Sequence, residues 1–254
     1  MADFIRVKVE AGLFEVTLNR PPLNILHGPM MEELGRAFEE AAASREAKVL
    51  LVRAEGKAFS AGADIDEHRP GKADAMIEQF HGLFRVLDRV PYPTAAFVQG
   101  AALGGGCELA LGCDMVLAAE RAKFGQPEVG LGFLPPVAAA LLPSRVGWGR
   151  AMEICCGGQP LRAREALEAG LALRVFADEG AEGSLAAFLS PFLQQSPHVL
   201  RLIKKALRGD GQTGFLPRLD AAERVFLDEL MASKDVLEGL AAFDEKRAPQ
   251  WKNK

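Results

Sequence analysis

Ala102-Leu103-Gly104-Gly105-Gly106-Cys107-Glu108-Leu109-Ala110-Leu111-Gly112-Cys113-Asp114 is the stretch that decides the fold. Thr94 to Val98, just before it, is short and apolar and predicts a strand. The glycines then make a turn, a helix is expected from about Gly105, and Asp114 to Ala119 predicts the next strand. Strand, turn, helix and strand in this order indicate an α/β core. The enclosing run from Phe97 to Ala119 is apolar enough to suggest a membrane span. Glu108 and Asp114 interrupt it, however, and Gly100, Gly104, Gly105, Gly106 and Gly112 weaken it. A spanning helix of about 20 apolar residues rarely carries two acids, so no membrane partner is expected. The run leaves a question: why carboxylates sit inside apolar sequence.

On the N-terminal side, Ile5, Val7 and Val9 alternate, and Leu13 to Leu18 forms a second run. With Gly12 between them they predict a hairpin. A helix is expected from about Pro29, with Met31, Leu34, Phe38 and Ala41 on one stripe. Lys48 to Ala54 predicts a buried strand. A second helix runs from Ala73 to Arg89, striped by Met76, Phe80, Leu83, Phe84 and Leu87 and ended by Pro91 and Pro93. On the C-terminal side, helical patterns dominate from Val137, and Leu171 to Phe176 predicts the last strand. After Ser196-Pro197 the chain predicts helices over His198–Arg208, Phe215–Met231 and Asp235–Lys246, the last with Asp235 and Glu238 as a capping box. The stripes Leu219, Ala222, Phe226, Leu230 and Leu237, Leu240, Phe243 need a surface, either the chain's own core or a neighbouring subunit. The expected organisation is an α/β core over 1–196 and a helical oligomerisation region over 197–254.

The composition agrees with a folded chain. Of 254 residues, 49% are hydrophobic and 25% charged, which excludes disorder. A net charge of −4 excludes a broadly basic binder of nucleic acid or anionic membrane. Cys107, Cys113, Cys155 and Cys156 form no CxxC and read as reduced core thiols. Met1 to Glu10 has no apolar signal-peptide core, so a cytoplasmic location is expected. His27, His68, His81 and His198 are isolated, with no HExxH, and no metal is expected. His81 reads as a capped or surface residue, and Glu39-Glu40 and Lys204-Lys205 as solvated helix faces.

Three segments carry candidate chemistry. The glycines at 104–106 fit neither GxxxxGK[ST] nor GxGxxG. They serve either close helix–strand packing or the exposure of backbone N–H groups at a helix N-terminus, where a developing oxyanion is stabilised. Phe59-Ser60-Ala61-Gly62-Ala63-Asp64 is either a tight turn with Asp64 as a cap or the source of a second backbone donor, from Ala63. Ser60 has no GxSxG context and is not expected to be a nucleophile. Gln126-Pro127-Glu128-Val129-Gly130-Leu131-Gly132 places a Glu in an apolar loop, as a structural acid or as the partner of Glu108. Two carboxyls in poor solvent make a general acid/base pair if they converge.

Together these segments resemble the crotonase (enoyl-CoA hydratase/isomerase) family over nearly the whole chain. The resemblance rests on Leu18-Asn19-Arg20-Pro21, FSAGAD (59–64), ALGGGCELALGCD (102–114), FGQPEVGLG (124–132), GGQPLRAREALEAGLALRV (157–175) and FDEKR (243–247). It implies a spiral of ββα repeats with a C-terminal helical trimerisation region, and trimers or hexamers. It places the oxyanion hole on Ala63 and Gly105 and the two hydratase carboxylates on Glu108 and Glu128. It places coenzyme A contacts at Arg20, Leu23, Ala61, Asp64, Ile65, Phe243 and Lys246, the last two from the same or a neighbouring subunit. The implied partner is an acyl-CoA thioester, with no cofactor beyond the coenzyme A of the substrate. Both carboxylates favour hydration, and an isomerase with Glu128 as single base is the alternative. IDEHRP (65–70), FHGLFRVLDRVPYP (80–93), LLPSRVGWGRAMEI (141–154) and FLDELMASKD (226–235) resemble one branch of the family, the cyclohexa-1,5-diene-1-carbonyl-CoA hydratases of aromatic compound degradation. Phe133-Leu134-Pro135-Pro136 departs from the small, Gly-containing loop of straight-chain hydratases, which implies a bulkier acyl pocket.

Overall fold

Short, almost wholly buried apolar runs such as Val49–Ala54 and Thr94–Val98 build the centre of the molecule, seen in a computed structural model that describes residues 4–208 and 214–251. Residues 1–3, 209–213 and 252–254, which belong to the predicted N-terminal segment and C-terminal helical region, lie outside the described residues. In chain order the elements are β1 (Ile5–Glu10), β2 (Leu13–Leu18), α1 (Gly28–Ala43), β3 (Val49–Ala54), α2 (Ala73–Arg89), β4 (Thr94–Val98), β5 (Ala101–Leu103) and α3 (Gly105–Gly112). There follow β6 (Met115–Ala119), β7 (Lys123–Gly125), α4 (Pro136–Val146), α5 (Trp148–Gly157), β8 (Leu161–Arg162), α6 (Ala163–Glu168) and β9 (Arg174–Phe176). The chain ends in α7 (Ala181–Leu193), α8 (Pro197–Arg208), α9 (Phe215–Arg224) and α10 (Lys234–Asp244). Short 3-10 turns occupy Ile65–His68 and Pro127–Leu131, and α9 runs on into a π-helical turn at Val225–Leu230.

The predicted hairpin, central strands and helices are all present. Strand order in the main sheet is β1-β2-β3-β4-β6-β9, antiparallel only between β1 and β2. One face, with Val16, Leu18, Leu50, Val52 and Val98, joins the main core against α1 and α2. The other, with Val49, Leu51, Ala95, Phe97 and Leu117, packs on Leu185 and Leu189 of α7. A parallel sheet covered on both faces explains why these strands are apolar runs and not alternations. No described helix is long and apolar enough to cross a membrane.

A second, three-stranded sheet, β5-β7-β8, was not foreseen, because strands of two or three residues carry no readable period. It positions the site. β5 runs parallel to β7 with Leu103 opposite Gly125, and Gly104 N–H donates to Gly125 O at 2.9 Å. The glycine turn before α3 is thereby laid beside the Gln126–Gly132 segment.

Four expectations need correction. Ser233, not Asp235, caps α10, its hydroxyl accepting from Val236 N–H. His81 is fully buried, with Nδ1 2.5 Å from Glu223 Oε2 of α9. Lys204 is buried too, because its ammonium donates to Tyr92 O (2.9 Å) and Asp114 Oδ2 (2.5 Å). Cys156 is exposed, while Cys107 and Cys113 are core residues. Part of the C-terminal stripes finds its surface on the chain's own body, while Leu237 and Phe243 stay exposed. Leu219, Phe226, Val236 and Leu240 join the main core, and Arg69 pairs with Asp244 at 2.9 Å.

Candidate active site

Gly104 takes φ 52° and ψ −129°, a backbone that L side chains rarely adopt, and this lets the chain turn from β5 directly into α3. A Cβ at Gly104 would lie 2.8 Å from Glu128 Oε1, so the Glu128 carboxyl rests directly over the turn. A Cβ at Gly105 would lie 3.2 Å from Ala63 N and 3.0 Å from Phe80 Cζ. Only glycine leaves space open between the amides of residues 63 and 105.

Ala63 is presented by a parallel bridge. Leu26 N–H donates to Gly62 O (2.9 Å) and Asp64 N–H donates to Leu26 O (3.0 Å), which turns the intervening Ala63 amide to the other side. Ser60 serves the turn. Fully buried, its hydroxyl donates to Asn24 O (2.8 Å) and accepts from Gly62 N–H (3.2 Å), so no nucleophile is present there. Among the described residues neither Ala63 N–H nor Gly105 N–H donates a hydrogen bond. Two such donors, one on the first turn of a helix, suit an oxygen that gains negative charge.

Glu108 lies one turn into α3 and is only 2% exposed. Its Oε1 accepts from Ala138 N–H at 2.8 Å, in the first turn of α4. Burial pushes its carboxyl well above the ordinary range, and the Ala138 and Val137 amides draw it back part of the way. Glu128 sits in the 3-10 turn, which is closed by Phe133 N–H donating to Glu128 O (3.0 Å). Burial pushes Glu128 up as well, and the charge of Glu108 pushes it further. The carboxyls separated by 20 residues in sequence therefore share one site. Gln126, itself fully buried, sets its amide against both Glu128 oxygens at 3.1 and 3.0 Å, and since carboxylate oxygens accept, the orientation that satisfies both groups is the one with the amide nitrogen facing them as donor. Cys155 is close enough to feel both carboxylates, and burial with their charge pushes its thiol up to about 12, which keeps it inert.

The two carboxyls and the two backbone amides line one cavity of ≈ 350 Å³. Ala61, Ala63, Asp64, Ile65, Gly105, Glu108, Glu128 and Phe243 all reach its wall, as do the predicted bulky residues Phe133 to Pro136. The Phe243 on this wall belongs to the same chain. Arg20, Leu23 and Lys246 are not on the wall. Arg20 Nη1 donates to Ile25 O (3.1 Å) and Leu23 O accepts from Ala61 N–H (2.9 Å), so both stand one residue contact behind it. Lys246 is exposed beyond the end of α10. Gln126, His68 and Phe226 belong to the site and were not predicted. Gln126 lies inside a quoted motif, two residues before Glu128, but only the fold turns it onto the carboxyl. A larger hollow of ≈ 720 Å³ opens between α7 and α8, but Lys204 and Asp114 at its wall are engaged with each other.

Known proteins resemble the chain over nearly its whole length. Residues 8–254 match the model of the family described as enoyl-CoA hydratase/isomerase. The chain is 36% identical over 245 residues to a protein of Thauera aromatica named cyclohexa-1,5-dienecarbonyl-CoA hydratase, covering 96% of this chain and 95% of that one. A crystal structure titled as an enoyl-CoA hydratase from Mycobacterium avium subsp. paratuberculosis K-10 superposes with TM-score 0.85 at 33% identity, covering 98% and 99% of the two chains. A crystal structure titled as an enoyl-CoA hydratase/isomerase from Pseudoalteromonas atlantica T6c gives 0.87 at 29% identity, with the same coverage.

Proposed function

The chain belongs to the enoyl-CoA hydratase/isomerase family, and on that premise we propose that it adds water to an α,β-unsaturated acyl-CoA thioester. The observation that carries this is the meeting, around one cavity, of two buried carboxyls and two unengaged backbone amides. Isomerisation needs only one carboxyl as a shuttling base. Addition of water needs one group to take a proton from oxygen and another to give one to carbon.

The thioester oxygen accepts from Ala63 N–H and Gly105 N–H. Glu108, with Oε1 fixed by Ala138, holds the water through its other oxygen and takes its proton. The water oxygen bonds to the β carbon, and the displaced electron pair moves onto the thioester oxygen as an enolate between the two amides. Glu128 then gives its proton to the α carbon. Proton exchange between the paired carboxyls restores the starting state. The charge placement supports this division of labour. Amides and the α4 N-terminus favour the ionised form of Glu108, while the Glu108 charge favours a proton on Glu128. Each oxyanion donor contributes roughly 3 kcal/mol to the transition state. The thioester itself is the electron sink, so the proposed reaction uses no separate cofactor.

For the acyl group, the wall of Phe133, Leu134 and the 135–136 prolines, joined by Phe226, supports a compact ring of the kind named for the Thauera protein. Arg20, Leu23 and Lys246 remain proposed contacts for the coenzyme A moiety outside the acyl cavity. Exposed Val199, Leu202, Ile203 and Leu207 on one short helix, α8, support self-association as a trimer or hexamer.

The test is to offer crotonyl-CoA and cyclohexa-1,5-dienecarbonyl-CoA side by side in ¹⁸O-water, to the parent protein and to Glu128→Gln. Hydroxyacyl product carrying ¹⁸O, with the ring favoured, is expected. Products with a moved double bond and no solvent oxygen would replace hydration by isomerisation, and a preference for the straight chain would remove the ring.

A further inference from the structure

His68 is the polar side chain of the cavity for which the hydration chemistry has no use. It ends the 3-10 turn that begins beside Ala63 and Asp64, and its Nδ1 lies 2.9 Å from Asp64 O. A carbonyl oxygen only accepts, so Nδ1 carries the hydrogen and Nε2 presents a lone pair. The ring is fixed by packing, with centroids 5.0 Å from Phe133 and 6.5 Å from Phe226. The other polar side chains on the wall each hold at least one protein partner. Asp64 Oδ1 accepts from Asp66 N–H, Asp66 pairs with Arg69, Glu108 is tied to Ala138, and Glu128 is held by Gln126. His27 Nδ1 and His81 Nε2 are fully buried without partners, whereas His68 Nε2, also without a partner among the described residues, is not fully buried, and the residue lines the cavity.

We propose that His68 Nε2 accepts a hydrogen bond from a hydroxyl carried by the acyl ring, so that among the compact rings the cavity admits, hydroxylated ones bind more tightly than their plain hydrocarbon counterparts. The inference rests on the acyl-thioester reading of the cavity and deepens it. A hydrocarbon acyl group pressed against this wall strips water from Nε2 and returns nothing, while a hydroxyl replaces the lost water. A site built to hydrogen-bond one group discriminates against the analogue that lacks it.

The test uses binding, so that it does not depend on turnover. Dissociation constants are measured by calorimetry for cyclohexanecarbonyl-CoA and its ring-hydroxylated derivatives, one per ring position other than the β carbon, where a hydroxyl would meet Glu108 and Glu128, on the parent protein, His68→Phe and His68→Gln. The expected result is that at least one hydroxylated thioester binds the parent roughly ten-fold tighter than the hydrocarbon one. That preference should vanish in His68→Phe, which keeps a packed ring, and return in His68→Gln, whose carbonyl oxygen can accept. Absence of any hydroxyl preference in the parent overturns the proposal without reference to either variant. So does a preference that survives His68→Phe. Crotonyl-CoA hydration by the parent protein, assayed alongside, reports separately on the hydratase reading. Failure there with the hydroxyl preference intact removes the reaction but not the role of His68.

Discussion

Glu108 and Asp114 stand six residues apart in one apolar stretch, and the fold treats them in opposite ways. α3 points Glu108 into the cavity beside a second carboxyl, where neither has a cation for a partner and both are pushed towards their protonated forms. Asp114, just past the end of α3, is turned to the far side. There its Oδ2 accepts from Thr94 N–H (2.8 Å), the Thr94 hydroxyl (2.9 Å) and the buried Lys204 ammonium. One acid is left unneutralised next to a like charge; the other is paired and saturated with donors. A buried charge that is paired holds structure together, whereas like charges kept together in a cavity cost stability and are retained for chemistry. That answers why the apolar run carries carboxylates: one is for the reaction and one is for the frame.

The contrast can be broken most directly at the cavity. Glu128→Gln and Glu108→Gln are each expected to lower kcat for hydration by about 10²-fold or more with binding of the thioester retained. The double variant should be little slower than the worse single one, since the carboxyls act as a unit. Steady-state kinetics on the three variants checks this, and fully multiplicative losses would show two independent groups. On the frame side, Asp114→Ala leaves the Lys204 ammonium with Tyr92 O alone and, because Asp114 is part-exposed and its charge partly screened, should cost about 1–3 kcal/mol of stability in urea unfolding, with kcat/KM within about two-fold of the parent. Lys204→Met should cost less, because Asp114 is part-exposed and keeps its Thr94 donors.

The two sites should also differ in their response to pH. Glu128 has a raised pKa in the folded chain, so between the ordinary glutamate range and that raised value the folded state holds more protons than the unfolded one. Stability therefore falls as pH rises through this window and levels off above it. In Glu128→Gln the fall should shrink, by the order of 1–2 kcal/mol, and the variant should be the more stable protein on the alkaline side. Melting temperature against pH for both proteins reads this, and parallel curves would mean that Glu128 is not destabilised by ionisation. The smallest effect is expected at Gln126. Gln126→Leu removes the amide that faces both Glu128 oxygens and should lower kcat roughly ten-fold with KM nearly unchanged. A change in KM alone would assign Gln126 to substrate binding.

Much of this molecule was legible in one dimension. The stripes of α1 and α2, the hairpin and the covered central strands follow from hydrophobic period and from Gly and Pro punctuation, both of which act over a few residues. The errors share one cause. Lys204 beside Lys205 looks like any solvated pair until Tyr92 O and Asp114 arrive from 90 or more residues away. His81 looks like a surface residue until α9 delivers Glu223. Ser233 and Asp235 are both acceptable caps by composition, and the choice falls to where α10 meets the preceding turn.

Local spacing alone was enough to establish an α/β chain with a helical tail, and the family motifs pointed to Ala63, Gly105, Glu108 and Glu128. Period and turn chemistry are nearest-neighbour properties, so they survive in a string of letters. The meeting of Glu108 with Glu128, the Gln126 amide behind it, the single-chain source of Phe243 and the open Nε2 of His68 arose elsewhere. They depend on β5 pairing with β7 and on the tail folding back over α2 and α4. Burial and charge coupling are set by whatever arrives within a few ångströms in space, and separation along the chain carries almost no information about that.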